Sequence, residues 1–518
     1  MGPVTDVNTT SIRAAVELGC RTMQSVFNAD DDRIPFFGSE VFPHPRLSFS
    51  YAHSEAHVPG RHLNALLRAE AVLGIQLDEK AVEAHANAAF LSYSGAVPLP
   101  LNRQELGGTL RNFLPHNVRE GFHALHALVR YRSSARAREL AEASIDAIQR
   151  LWTPDRGWDD SLSKTHGIDV DQSTFVVGLG RALGPLVKYY RATSYGPALE
   201  LATVLKGKAL EEGFPADGSY HREVLGTHTH STTCVLSSLA QYADLTRDAA
   251  LMARVKAFYD NGLWEIRDQL GWVIETSADD ASPDRGEINN SGDILETALI
   301  LGRWGHSGAY QDAERILRCH ILPAQLRDVS FIDDPPNPDG EDGLRDVAAR
   351  HLGAFGFPAP YGHRPLEADR VSFNMDIVGG GIASLCEAYA ATVTTGDDGH
   401  RVNLWFDHET DDVAVASPYS TDSLSVRVKT PAPLWVRMPD WAAAGVTIQG
   451  ADEPPLRLPG YLLFAQPPLD RPIVFDVPLT PTTITLRHRT RSIDVHLEGD
   501  AAVAMEDVGA DLTFFAPL

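Results

Sequence analysis

The chain has 518 residues, more than one ordinary globular domain holds, so two units are expected, one of them large or built from repeats. Its 43% hydrophobic and 22% charged residues are the composition of a well-cored protein and argue against wholesale disorder. With 45 basic against 69 acidic residues the formal charge is −24, which argues against nucleic acid and bare anionic membrane surfaces as partners.

The opening stretch, MGPVTDVNTTSIRAAVELGC, lacks a basic start ahead of an apolar core, so no signal peptide is expected. No stretch has the apolar length of a membrane span. Cys20, Cys234, Cys319 and Cys386 stand far apart with no CxxC, so neither a disulfide framework nor a zinc ribbon is expected. The expected setting is the cytoplasm, with reduced thiols. Residues 1–50 read as a leading helix and an extended Pro-rich segment that packs on the large helical unit.

From residue 51 the chain repeats one grammar six times. A polar cluster precedes a helical run dense in Leu and Ala, and in most repeats a short turn leads to a more charged helix. The clusters begin at His57, His116, Asp171, His228, Glu287 and Asn374. The first five starts lie about 55 to 60 residues apart, the length of two helices and two loops. An insertion, DVSFIDDPPNPDGEDGLRDVAARHLGAFGFPAPYGHRP, separates the fifth from the sixth. The first helix of each pair is apolar nearly all round, and the second is amphipathic, as in RARELAEASIDAIQRL. Six buried helices backed by outer ones predict a mostly α fold, an (α/α)6 toroid over residues 51–399. From 400 to 518 the text changes to short runs rich in Val, Leu, Ile and Thr, broken by Pro, Asp and Gly. These predict an antiparallel β-sandwich.

In a ring of alternating helices every inner helix runs the same way, so the polar clusters meet at one mouth. Unpaired helix N-terminal N–H groups there favour anionic or hydroxyl-rich ligands. His57, Arg61, His116, Arg119, Asp171, His228, His230, Asn290 and Asp293 are the expected substrate-binding residues, with Trp158 of RGWDD as a stacking platform. Each also reads more plainly: Asn and Asp ahead of a helix are common N-caps, and His228 with His230 could be one satisfied core histidine and one exposed one. The HTH motif has no third ligand at metal spacing, so no metal is expected. DDPPNPDGEDG lacks EF-hand spacing and reads as a solvated lid loop over the mouth. No GxGxxG, Walker loop or GxSxG is present, and no cofactor is expected. Glycosidic bond hydrolysis needs an acid and a second carboxylate. Glu287 and Asp376, on neighbouring repeats, are the expected catalytic pair, with Asp293 as a competitor.

The fifth-repeat stretch GEINNSGDILETALILGRWG, the segment GTHTHSTTCVLSSLAQYADLTRD and the C-terminal PLWVRMPDWAAAGVTIQG with LPGYLLFAQPPLDRPIVFDVPL resemble the β-L-arabinofuranosidase family of glycoside hydrolases, family 127 and its relatives. The resemblance implies a toroid followed by a β-sandwich, and in that family a zinc held by three cysteines and a glutamate, one cysteine being the nucleophile. Here the Glu-Thr-Cys position reads Glu287-Ile288-Asn289, and the Cys-Cys position falls near Met375-Asp376, so the thiolate set is missing. The expectation is a glycoside hydrolase acting without metal on a non-reducing terminal arabinofuranoside, rhamnoside or uronide, with Arg61 and Arg119 as partners for any uronate. A lyase or epimerase on the same fold, or a non-catalytic glycan-binding protein, stand as alternatives, and homodimerisation stays open.

Overall fold

The computed structural model describes residues 2–278, 282–442, 445–488 and 490–518. Its long helices are α1 (Ile12–Met23), α2 (Val58–Leu73), α3 (Glu79–Ser92), α4 (Asn117–Arg132), α5 (Ala135–Leu151) and α6 (Leu183–Thr193). They continue with α7 (Gly196–Glu212), α8 (Thr229–Thr246), α9 (Ala249–Asp260), α10 (Ile288–Arg303), α11 (Ser307–Ile316) and α12 (Met375–Thr392).

The inner helices α2, α4, α6, α8, α10 and α12 touch in that order, and α12 returns to touch α2, so the ring closes. Their sequences explain the placement. Helix α4 is buried from Asn117 through Val129, the pattern of a rod with neighbours on all sides. Helix α5 buries Ala137, Ala141, Ser144, Ile145, Ala147 and Ile148 on one face and carries its charges on the other. Five outer helices follow their inner partners along the chain. The sixth outer place, beside α12 and α2, is taken by α1 from the N-terminus. Two glycines set the spacing of the inner ring. A Cβ on Gly60 of α2 would lie 1.8 Å from the Glu120 carbonyl oxygen of α4, and one on Gly380 of α12 would lie 1.8 Å from Asn289 Oδ1 of α10.

The insertion differs from the expected lid. Residues 333–341 are largely solvated, but Ala354, Phe355, Ala359 and Tyr361 are buried. The Gly356 carbonyl accepts the Ile288 N–H at 3.3 Å and the Pro358 carbonyl accepts the Gly286 N–H at 2.9 Å. The insertion therefore braces the backbone on both sides of Glu287.

Helix α12 runs directly into the first strand of the sandwich, Val393–Gly396. One five-stranded sheet orders 456–458, 461–464, 434–437, 399–402 and 393–396; the other orders 408–409, 413–416, 424–428, 473–476 and 447–449. All pairings are antiparallel except that of 400–402 with 434–436. Val402, Trp405, Leu424, Val426, Leu434, Val436, Phe464 and Phe475 fill the space between. The last strands do not join this sandwich. Residues 481–487, 492–498, 501–505 and 516–517 form a separate sheet. Its Leu486, Ile493, Val495 and Leu497 belong to the helical core, because alternation along 492–498 turns one apolar face toward the ring. Among the described residues no helix is long and apolar enough to cross a membrane.

Ring and sandwich are joined through a buried carboxylate. Glu314 of α11 accepts from Arg318 at 3.0 Å, from the Trp405 backbone N–H at 3.1 Å and from Arg437. Arg318 also stacks against Phe406 and Tyr419. Glu314→Ala would strand two buried guanidiniums, a change that costs about 3–5 kcal/mol. Denaturant titration should show that loss; a loss under ~1 kcal/mol would mean that other acceptors hold the junction.

Candidate functional site

The inner helices bring their N-terminal residues into one buried polar cluster. At its centre is Glu120 of α4, fully buried. Its Oε1 takes Arg61 of α2 at 3.2 Å, Arg119 at 3.0 Å and Arg181, just ahead of α6, at 3.6 Å. Burial opposes ionisation here, but the Arg119 and Arg61 guanidiniums outweigh it and hold the Glu120 carboxyl well below the usual range. Arg61 reaches Asn289 Oδ1 at 3.3 Å. Arg119 reaches Asp293 Oδ1 at 3.4 Å.

Glu287 and Asp376 share this cluster, 6% and 5% exposed. Asn289 Nδ2 bridges them, donating to Glu287 Oε1 at 2.7 Å and to Asp376 Oδ2 at 3.4 Å. The two oxygens are therefore separated by less than the ~6.5 Å at which inverting carboxylate pairs begin. Their environments diverge. Burial, with Asp376 and Glu275 nearby, pushes the Glu287 carboxyl up to about 8, against the opposing pull of Asn289 and Arg61. Asp376 is buried too, yet the His57 hydrogen bond and charge, with Arg61 and His53, bring it down to about 2. Asp376 Oδ1 is buried without a hydrogen-bond partner. Two carboxyls held in opposite protonation states near neutrality are what paired acid and base chemistry requires.

The other expected residues divide. His57 meets Asp376 Oδ2 through Nε2 at 3.3 Å and Asn117 Oδ1 through Nδ1 at 2.9 Å. His230 lies between Arg181, 3.1 Å from Nδ1, and Asp293, 3.4 Å from Nε2. Desolvation, with Arg181 and Arg61 close by, lowers its pKa well below the ordinary value, so it is neutral. His228 is half-buried at the rim and bonds Ser231 Oγ at 2.9 Å. Asp293 also accepts from Thr233 Oγ1 at 3.1 Å, and burial raises it to about 6. Asn290 is occupied structurally: its Nδ2 donates to Thr229 Oγ1 at 2.9 Å and to the Ile274 carbonyl at 3.4 Å. His116 is half-buried and lies 3.3 Å from His53.

Trp158 and Asp171 do not enter the cluster. They line a separate cavity of about 550 Å³ with Trp152, Phe175 and Lys208, which reaches Pro115 beside His116. Asp171 is exposed, and Trp158 packs edge-on against Phe113. The third repeat departs from the others because its inner helix begins late. A short 3-10 turn, Leu179–Ala182, precedes α6, so Arg181 takes the rim position expected of Asp171. Glu120, Arg181 and His53 are thus residues of the cluster that the motif reading passed over. The signal for Glu120 was its place in the charged pair Arg119-Glu120 inside a buried helix, since a buried charge is rarely unpaired.

The zinc implied by the family resemblance does not fit here. Asn289 presents an amide donor, engaged with both carboxylates, where that family has a thiolate. The four cysteines are buried and free, and none contacts Glu287 or Asp376; Cys234 lies in α8 against the Arg181 carbonyl.

The close approach at Gly380 generates a prediction. Gly380→Ala pushes Asn289 off its bridge, and overpacking of this kind costs about 1–3 kcal/mol. The variant should stay folded by circular dichroism, with its melting point lowered and any turnover reduced. A variant of unchanged melting point would show that Asn289 has room to shift.

No protein-family model matches the chain, and no curated protein matches it in sequence. Solved structures do. A GH127 β-arabinofuranosidase is similar at a TM-score of 0.61 and 11% identity, covering 96% of this chain and 83% of that one. A GH127 β-L-arabinofuranosidase from Geobacillus stearothermophilus T6 gives 0.57 at 15% identity, covering 95% and 80%. A sugar epimerase from a ruminal bacterium gives 0.50 at 11%, covering 73% of this chain and 98% of its own. The chain thus has the helical ring and β-sandwich of the GH127 β-L-arabinofuranosidases without cysteines at the Glu287 and Asp376 site, a likeness of fold.

Proposed function

We propose that the protein is a retaining glycoside hydrolase that releases a neutral, non-reducing terminal sugar, with Glu287 as general acid and Asp376 as nucleophile. The observation that carries this reading is the Asn289-bridged carboxyl pair, one member neutral and one ionised, at the point where the helix N-termini converge. Glu287 gives its proton to the leaving glycosidic oxygen as the bond to the anomeric carbon breaks. Asp376 Oδ1, whose lone pairs are unengaged, bonds that carbon from the opposite face. Water then attacks the anomeric carbon, giving a proton to the Glu287 carboxylate as the bond from that carbon to Asp376 Oδ1 breaks. Carboxyls so little exposed suit the end of a glycan better than its middle.

A neutral sugar is favoured over a uronide because Arg61 and Arg119 are already engaged by Glu120, Asn289 and Asp293. The cavity lined by Trp158 and Asp171 would then receive the aglycone side of the bond. Structural likeness to GH127 β-L-arabinofuranosidases makes arabinofuranosides the first substrates to test.

A screen of nitrophenyl glycosides should find one that is hydrolysed. On it, Glu287→Gln should lower kcat by at least ~100-fold while the fold survives. Unchanged turnover would remove Glu287 from the mechanism, and a product isomerised rather than hydrolysed would favour epimerase chemistry. For the wild type, kcat/KM should fall as pH rises through about 8, because Glu287 then loses the proton it must donate. The first product seen by NMR should keep its anomeric configuration; inversion would make Asp376 a base acting on water.

A further inference from the structure

We propose that His53, His57 and His116 form a binding site for a divalent transition metal of the zinc class at the edge of the mouth. One ligand nitrogen from each lies within 4.8 Å of the other two. The His53 and His116 Nε2 atoms are 3.3 Å apart, the edge expected of a tetrahedron with Zn–N bonds of about 2.0–2.1 Å.

The hydrogen bonds of two of the rings point the same way. Asn117 Nδ2 donates to the Ala52 carbonyl at 2.8 Å, which fixes Asn117 Oδ1 as the atom facing His57 Nδ1. His57 Nδ1 therefore carries a hydrogen, and Nε2 faces Asp376 Oδ2, so a metal ion at Nε2 would take the place of the hydrogen that Nε2 gives that carboxylate. His53 is held similarly, its Nδ1 3.1 Å from Ser50 Oγ and its ring stacked on Phe37 at 4.2 Å. A protein oxygen on Nδ1, as at His53 and His57, is the arrangement that orients metal-bound histidines. A proton between His53 and His116 satisfies one close pair of acceptors; a cation satisfies all three rings and the facing Asp376.

Access and coordination number also fit. His53 and His116 are half-buried, so an ion can enter and the rings can turn into bonding distance. Three imidazoles leave a fourth position open. The other titratable group of three, His228, His230 and Glu287, is a poorer site because a guanidinium faces each nitrogen of His230, Arg181 at 3.1 Å from Nδ1 and Arg61 at 3.3 Å from Nε2, and would repel a cation. The proposal does not depend on the carboxyl mechanism, since its readout is metal uptake.

The test uses the full chain stripped with a chelator and titrated with Zn²⁺ by calorimetry and with Co²⁺ by visible absorbance. One metal per chain is expected, with the intense cobalt bands of a four-coordinate site. His53→Gln and His116→Gln should each weaken uptake at least ~10-fold while the chelated proteins keep the wild-type circular dichroism. If His116→Gln fails to fold, His53→Gln and the wild-type stoichiometry decide. No uptake by the wild type, or the same cobalt spectrum in the folded variants, would overturn the proposal.

Discussion

Three guanidiniums from three inner helices converge on one buried carboxylate, and the mouth of the ring is organised by that convergence. Without Glu120, Arg61, Arg119 and Arg181 would meet as like charges in a desolvated space, a cost of about 3–5 kcal/mol and a large fraction of the stability of a typical fold. With Glu120 present, the three arginines become rigid donors that reach outward to Asn289, Asp293 and His230. The parallel inner helices supply the position, the Glu120 cluster supplies the charge balance, and the chemistry at Glu287 and Asp376 sits on top of both.

The same arrangement explains how two nearby carboxyls differ. Glu287 is enclosed by backbone anchored to the insertion and receives a single amide donor. Asp376 faces His57 and shares the Asn289 amide. Dehydration is common to both, so the difference comes from the number and charge of the groups aimed at each. Gly380 belongs to the same account, because the bridge at Asn289 exists only where α12 has no side chain.

Much of this is readable from the sequence. The sixfold recurrence of a polar cluster before an apolar helix specifies the ring, and helix direction then requires Glu287, Asp376, His57, His230 and Arg61 to meet. The unreadable parts have definite physical causes. Arg181 stands where Asp171 is expected, because a short 3-10 turn delays α6 and no periodicity marks that delay. Glu120 looks like part of a helix interior, and its role depends on guanidiniums from other repeats. The sixth outer helix comes from the N-terminus and the last strands fold back onto the ring. Both are contacts between segments that local patterning leaves unconnected. The insertion reads as a lid from its acidic first half, whereas its apolar second half is the part that supports Glu287.

The central claim is that Glu287 is a neutral acid at neutral pH beside an ionised partner. Difference infrared spectroscopy of the wild type against Glu287→Gln, titrated across neutrality, tests this without a substrate. The account predicts a protonated-carboxyl stretch that is present in the wild type at pH 6.5, absent in the variant, and titrates away near pH 8. A band already lost by pH 6, as for a carboxyl with an ordinary pKa of about 4.3, would contradict it.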